Sequence, residues 1–337
     1  MKKAALLFLC FLVQFVFAQK PEFSVLLQDK ISIRALQIHD GKVWYSGTDS
    51  KFGYVSLKDT ADKKQLKLSE KKLQFRTLAQ DQKAFYAINI ESPAYVFRID
   101  KKTLTPQIMN TDASKNAFYD ALYYHRNRFY TFSDPEDDLK LKFAELMMSA
   151  EIFTAKYYTD YLLKSGEAAF AASNTNIAAA KKYVWLATGG QSSRIFRLNL
   201  KTQKIETFNT PIIQGSSSQG IYSIDFYDKN FGIAVGGDYT KQAENINNIA
   251  TTNDGGETWQ IQASGKNAGY KTCVKIRPKS KGKDIIAVGD QHIEFSRDYG
   301  KTWTKISDEK GLYVCEWIDR NTVVFAGKDR IVKIRLP

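Results

Sequence analysis

Along this chain an apolar strand, a polar turn, a second strand closing on small residues and glycine, and a third strand recur as one phrase. The copies are SIRALQIHDGKVWYSGTDSKFGYVSL from Ser32, QFRTLAQDQKAFYAINIESPAYVFRI from Gln74 and AFYDALYYHRNRFYTFSD from Ala117. AFAASNTNIAAAKKYVWLATGGQSSRIFRL follows from Ala169, then IYSIDFYDKNFGIAVGGD from Ile221, TCVKIRPKSKGKDIIAVGD from Thr272 and YVCEWIDRNTVVFAGKDRIVKI from Tyr313. Alternation of apolar and polar positions, as in Ile221-Tyr222-Ser223-Ile224-Asp225-Phe226, predicts strands packed on both faces. Val43, Phe85, Phe129, Val184, Gly232, Ile285 and Val323 mark one position of the second strand, at intervals of 38 to 55 residues. Four short strands need about 40–50 residues, the period of a propeller blade. The pattern predicts an all-β, seven-bladed β-propeller of four-stranded antiparallel blades, one domain over residues 19–337.

The ends of the pattern predict closure. The seventh copy lacks its outermost strand, while FSVLLQ at 23–28 stands unassigned before the first copy, so the N-terminal strand is expected to complete the last blade. That pairing removes the exposed edge at the seam. Residues 139–165, LKLKFAELMMSAEIFTAKYYTDYLLKS, break the rhythm; they read as a partly helical insertion without a turn signal.

Before the first copy, Lys2 and Lys3 precede an uncharged apolar run ending at Val16-Phe17-Ala18. A basic start, an apolar stretch and a small residue at the cleavage point predict a secretory signal peptide at 1–18, cleaved after Ala18. No other segment has the roughly 18 apolar residues of a spanning helix. A periplasmic or secreted monomer is expected.

Composition adds the partner class. The formal charge is +13, and about +11 without Lys2 and Lys3. Lysine runs at 63–72 and 279–283 suit solvated strand edges that discourage edge pairing. No nucleic acid is expected outside the cytoplasm; an acidic glycan or an envelope or extracellular protein fits the charge. Beyond Cys10, inside the leader, the cysteines are Cys273 and Cys315, at matching places in KTCVKI and YVCEWI. An exported chain permits a disulfide there; two buried thiols fit equally. His39, His125 and His292 lack metal-ligand spacing, and the acidic run Asp134–Asp138 reads as a wet loop, so no metal and no cofactor are expected.

TNDGGETW at 252–259 and SRDYGKTW at 296–303 share one template. Asp254 and Asp298 can accept from turn amides, Gly256 and Gly300 can take positive φ, and Thr252 and Ser296 can bond within the turn. Trp259 and Trp303 bury rings against the neighbouring blade. The motif reads as a corner between third and fourth strands. It is similar to the Asp-box, the bacterial neuraminidase repeat. GEAAFAASNTNI (166–177), GGQSSRIFRL (189–198) and GSSSQGIYSIDFYDKNFGIAVGGDY (215–239) resemble signature runs of the bacterial group related to the photosystem II stability/assembly factor of plants and cyanobacteria. That resemblance implies a seven-bladed propeller and little about activity.

Propellers usually bind at one mouth of the channel. Polar residues stand where inner strands and their loops begin: Arg34, Arg76, Asp120, Asp134, Glu167, Arg194, Asp238 and Tyr239. They come from equivalent parts of successive repeats, so they are expected to converge on one face. Arginines at that density suit a carboxylate or phosphate, and they equally suit an ion-pair ring tying blades together. The leading expectation is a non-catalytic binding or assembly propeller. The alternative is a glycosidase of sialidase type, whose resemblance implies three arginines, here Arg34, Arg76 and Arg194, with an acid/base and a Tyr–Glu pair. No Gly-x-Gly-x-x-Gly follows a strand and no Cys-x-x-Cys occurs, so an oxidoreductase has no support in the residues.

Overall fold

The computed structural model describes residues 22–336, so the leader read at 1–18 and Cys10 lie outside the described residues. Every regular element among them is a strand. Four sheets hold four strands each, in chain order from the middle of the molecule outward. One contains Ala79–Gln80, Ala84–Ile88, Ala94–Asp100 and Pro106–Asp112. The fully buried second strand and exposed fourth strand of this sheet show why: AFYAI is apolar throughout, whereas PQIMNTD is polar enough to face water.

Six sheets form, not seven separate ones. The difference arises at the seam, where two long strands change partner midway. Glu22–His39 pairs with Thr322–Arg335 over Glu22–Gln28 and with Lys42–Gly47 over Ile33–His39. Thr322–Arg335 pairs with Leu312–Trp317 through Val323–Gly327 and with the chain start through Arg330–Arg335. Its two halves fold back at Asp329, whose φ is 63°, and Leu336 N donates to Asn321 O at 2.7 Å. The first and last repeats therefore share one sheet of six strands. Val43 and Val323, the equivalent positions of those repeats, both lie in it. The expected pairing of chain start with chain end is present, and Asp329 Oδ1 adds a bond from Ile31 N at 3.2 Å.

The partly helical insertion at 139–165 is not formed. Lys142–Met148 and Phe153–Tyr157 are the third and fourth strands after Tyr119–His125 and Arg128–Ser133. Helix-favouring Leu, Ala, Glu and Met yield to cross-strand pairing, since propensity is a weak prior against tertiary contacts. Leu141, Phe143, Leu146 and Met148 are buried while Met147 is exposed, and Phe143 sits opposite Phe132. The turn is Ser149–Ile152, where Ser149 N donates to Ile152 O.

The core lies between sheets rather than at one centre. Trp185 stacks on Phe226 of the next sheet at 3.8 Å between centroids and 5° between planes, within a cluster that includes Ala178, Ile195, Ile224 and Ala234. Successive innermost strands are also stitched by polar side chains. Thr175 and Ser223 hydroxyls meet at 2.7 Å, Ser223 Oγ accepts from Val274 N at 3.0 Å, and Thr272 Oγ1 donates to Tyr313 O at 2.6 Å. Such satisfied buried groups fix which strands are neighbours.

Candidate binding site at one mouth of the channel

The segment Ala169–Asn176 crosses the channel and partitions it. Its first half lines a cavity of 410 Å³ together with Arg34, Arg76, Tyr239 and Tyr270. Its second half, Ser173 to Thr175, lines a cavity of 350 Å³ on the other side. The partition is held from several strands: Ser173 Oγ donates to Thr272 O at 2.6 Å, and Asn174 bonds both Leu78 O and Leu122 N at 2.8 Å.

Two of the three expected arginines meet on the first cavity. Arg34 donates from Nη1 to Ala172 O at 3.0 Å, and Arg76 from Nη1 to Ala171 O at 3.5 Å. Arg34 Cζ lies 4.2 Å from the Tyr313 ring centroid, a cation–π contact. Neither arginine forms an ion pair among the described residues, whereas Arg98, Arg194, Arg197 and Arg277 all do. Burial, then the charge of Arg34, lowers Arg76 to about 10, with Glu91 and Asp120 opposing. Asp290 lines the same cavity without an ion pair to either arginine, so the two guanidiniums still leave it an excess of positive charge suited to an anion.

The other predicted residues divide. Arg194 does not join the pair, because buried Glu167 takes it: Nη2 to Oε2 is 2.6 Å and Nε reaches both oxygens at 2.9 and 3.0 Å. Thr188 Oγ1 and Lys164 N also donate to Glu167. For these two residues the ion-pair reading holds, and the three-arginine constellation of the glycosidase alternative is not assembled. Asp238 caps a turn, accepting from Thr240 N and Oγ1 at 2.9 and 2.6 Å; burial opposes its ionisation, and these bonds outweigh it and lower its pKa. Half-exposed Tyr239, the next residue, lines the Arg34/Arg76 cavity.

Asp120 lies fully buried beside Arg76, and neither of its oxygens has a hydrogen-bond donor. Burial and the neighbouring Asp134 raise it well above the carboxylate range against the pull of Arg76, while burial pushes Asp134 up to about 6 against Lys142. Burial without a donor disfavours the ionised form of both carboxyls. The run after Asp134 pairs with lysines, Glu136 with Lys142 at 3.3 Å and Asp138 with Lys140 at 2.9 Å. Among the described residues no cluster of three metal-ligating side chains occurs.

The two eight-residue boxes have matching geometry far from this cavity. Thr252 Oγ1 donates to Asp254 at 2.7 Å and accepts from Gly256 N at 2.9 Å; Ser296, Asp298 and Gly300 repeat this at 2.9 and 2.9 Å. Thr258 and Thr302 donate amide and hydroxyl to the same aspartates. Trp259 and Trp303 donate Nε1 to Gly256 O and Gly300 O. The φ values of Gly256 and Gly300, 91° and 81°, are those an L side chain avoids.

The aromatic wall of the cavity was missed in the sequence. Phe170 stacks on Tyr222 at 3.9 Å, and Tyr222 meets Tyr270 edge-on at 4.8 Å. With Tyr239 and Tyr313 they surround the arginines. Their signal is positional: Tyr222, Tyr270 and Tyr313 open the inner strands of the last three repeats as Arg34 and Arg76 open those of the first two. A tyrosine in a strand reads as core, although Phe170 lies in the run 166–177 and Tyr222 in the run 215–239 that carry the resemblance.

No family model matches the chain, and no curated protein matches it in sequence. Solved structures do. One described as YCF48 bound to D1 peptide aligns with a TM-score of 0.67 at 11% identity, covering 96% of each chain. The structure of U3-55K aligns at 0.65 and 12% identity over 93% of this chain and 98% of that one. The RRP9 WD40 repeats align at 0.65 and 11% identity over 95% and 100%. The narrower Asp-box group that the motif runs resemble is not matched by a family model. What these likenesses establish for this chain is the β-propeller fold.

Proposed function

We propose that this chain is an exported, non-catalytic binding or assembly propeller that captures an anionic group of a protein partner at Arg34 and Arg76. The observation that carries the reading is the pair of guanidiniums on a cavity, without carboxylate partners, in a protein that pairs its other buried arginines. Their bonds to Ala172 and Ala171 fix them in advance, so little ordering is lost when an anion arrives. The aromatic wall suits an apolar side chain beside that anion. A propeller of the same fold, YCF48, is described with a bound D1 peptide, which supports a protein rather than a small-molecule partner.

The repeats support seven blades, with the six-stranded sheet at the seam, one of two six-stranded sheets, counted as two because its two long strands each serve both. The leader pattern at 1–18 supports periplasmic or extracellular placement, and the two boxes and three longer runs support kinship with the photosystem II assembly-factor group. An acidic glycan is the competing occupant on charge alone.

The test compares tagged full-length chain with an Arg34→Met/Arg76→Met form as baits for envelope extracts, with circular dichroism as the check on folding. A protein retained by the native form, released by salt and absent from the variant is the expected result. Recovery of the same proteins by both folded forms overturns the reading.

A further inference from the structure

We propose that Cys273 and Cys315 are a reversible oxidation site, at which a hydroperoxide converts two buried thiols into a disulfide joining neighbouring sheets. The two Sγ atoms are 3.8 Å apart, and both residues are fully buried. They lie on adjacent innermost strands, Cys273–Ile276 and Leu312–Trp317, which belong to different sheets. No backbone hydrogen-bond ladder joins those strands, so a covalent bond would link two sheets whose inner strands meet there mainly through side chains.

Reactivity and access both have a structural source. Thr175 Oγ1 and Cys315 Sγ each lie 3.8 Å from Cys273 Sγ as donors, and Cys273 Sγ is in turn 3.8 Å from Cys315 O. Burial opposes the Cys273 thiolate, yet the Cys315 hydrogen bond and the nearby Lys275 ammonium outweigh it and lower the pKa; Cys315 is raised well above its usual value, chiefly by burial. One sulfur is thus prepared to attack and the other to remain a thiol. Cys315 and Lys275 line the 350 Å³ cavity on the channel side away from Arg34, next to Asp225 and Glu316, and Cys273 Sγ lies 3.8 Å behind the Cys315 sulfur rather than on the cavity wall. That cavity has room for hydrogen peroxide, a molecule near the size of water.

The chemistry balances without another oxidant. The Cys273 thiolate attacks one peroxide oxygen, the O–O bond breaks, and an alcohol, or water from hydrogen peroxide, leaves after protonation. Cys273 is then a sulfenic acid. The Cys315 sulfur attacks Cys273 as its proton departs, the S–O bond breaks, and water leaves with that proton. Two thiols are oxidised by two electrons and one peroxide is reduced. Closing from 3.8 Å to the roughly 2 Å of a disulfide requires rotation of the two side chains. A small dithiol reductant entering by the same cavity reverses the step.

The test uses the full-length chain with Cys10→Ser, which leaves Cys273 and Cys315 as its only thiols. Folded protein is treated with graded hydrogen peroxide, then denatured and alkylated, and its intact mass and peptides are read. Loss of both alkylation sites, a mass deficit of two hydrogens and a peptide joining Cys273 to Cys315 are expected. In a Cys315→Ser form, dimedone should trap a sulfenic acid on Cys273; Cys315→Ala gives the same readout if serine disturbs folding. Two fully alkylatable thiols, at a peroxide dose that consumes an exposed cysteine control, overturn the proposal. So does oxidation to sulfinic acid without the joined peptide, or a disulfide formed only between chains.

Discussion

Arg34 and Arg76, from successive repeats, donate to adjacent carbonyls of one segment, Ala172 O and Ala171 O. The arginines therefore do two things: they hold the channel partition in place and line the cavity. Binding and structure are coupled at that point, and substitutions have to separate them.

Arg34→Lys and Arg76→Lys keep the charge but lose the planar donor fork, so each should weaken capture of the partner less than the methionine changes do. A charge-assisted hydrogen bond contributes about 1.5–3 kcal/mol, roughly 10- to 150-fold in affinity, when its partner is desolvated. Titration of the recovered partner against wild type, lysine and methionine forms measures this order. Equal affinity across the series would show that neither guanidinium touches the ligand.

Glu167→Ala strands Arg194, whose side chain is only 11% exposed. Removing one partner of a buried pair costs about 3–5 kcal/mol, and here Thr188 and Lys164 lose their acceptor as well. Urea unfolding should show that loss, while a Glu167→Leu/Arg194→Met form recovers much of it. Partner binding by whatever remains folded should be unchanged, because neither residue lines the Arg34/Arg76 cavity.

Asp120 and Asp134 give stability a distinctive pH dependence. Both are raised in the folded chain, chiefly by burial, so the folded state binds more protons than the unfolded one above a pH of about 4. Their contribution is fully present below the unfolded pKa and is lost as pH rises, for Asp134 through about 6. Asp134→Asn should flatten the fall between pH 4 and 6 and gain on the order of 2 kcal/mol at pH 7 relative to wild type. The comparison is the wild type minus variant difference in urea midpoints, which cancels the opposite slope of depressed carboxylates such as Asp254 and Asp298. An unchanged difference from pH 4 to 8 would show that the pair is not protonated.

Asp298→Ala removes the acceptor for Thr302 N, Thr302 Oγ1 and Ser296 Oγ, and should cost about 1–2 kcal/mol by thermal or urea unfolding. Asp254→Ala should cost a similar amount, because its bonds match one for one. Neither should alter partner capture, and a loss of capture in a folded variant would place function at the corner.

The sequence by itself determined the all-β class, the repeat period, the pairing of chain start with chain end, and the corner motifs. Each is local or periodic: alternation needs only neighbouring residues, and a box closes its own hydrogen bonds within eight. Arg34 and Arg76 were legible as members of a larger set, with Arg194 and five other residues, because equivalent strand positions in successive repeats must fall side by side around an axis. Tertiary structure alone decided the rest. Arg194 looked equivalent, yet Glu167, delivered by a different strand, satisfies it first, and sequence spacing does not reveal which buried carboxylate reaches which guanidinium. Residues 142–157 became strands because Phe143 meets Phe132, a contact stronger than helical preference. The two long seam strands merged the first and last repeats into one sheet because hydrogen-bond register runs through the point where they change partner. The aromatic wall and the partition that creates both cavities arise from long-range packing, since a tyrosine in a strand announces burial without saying what it will face.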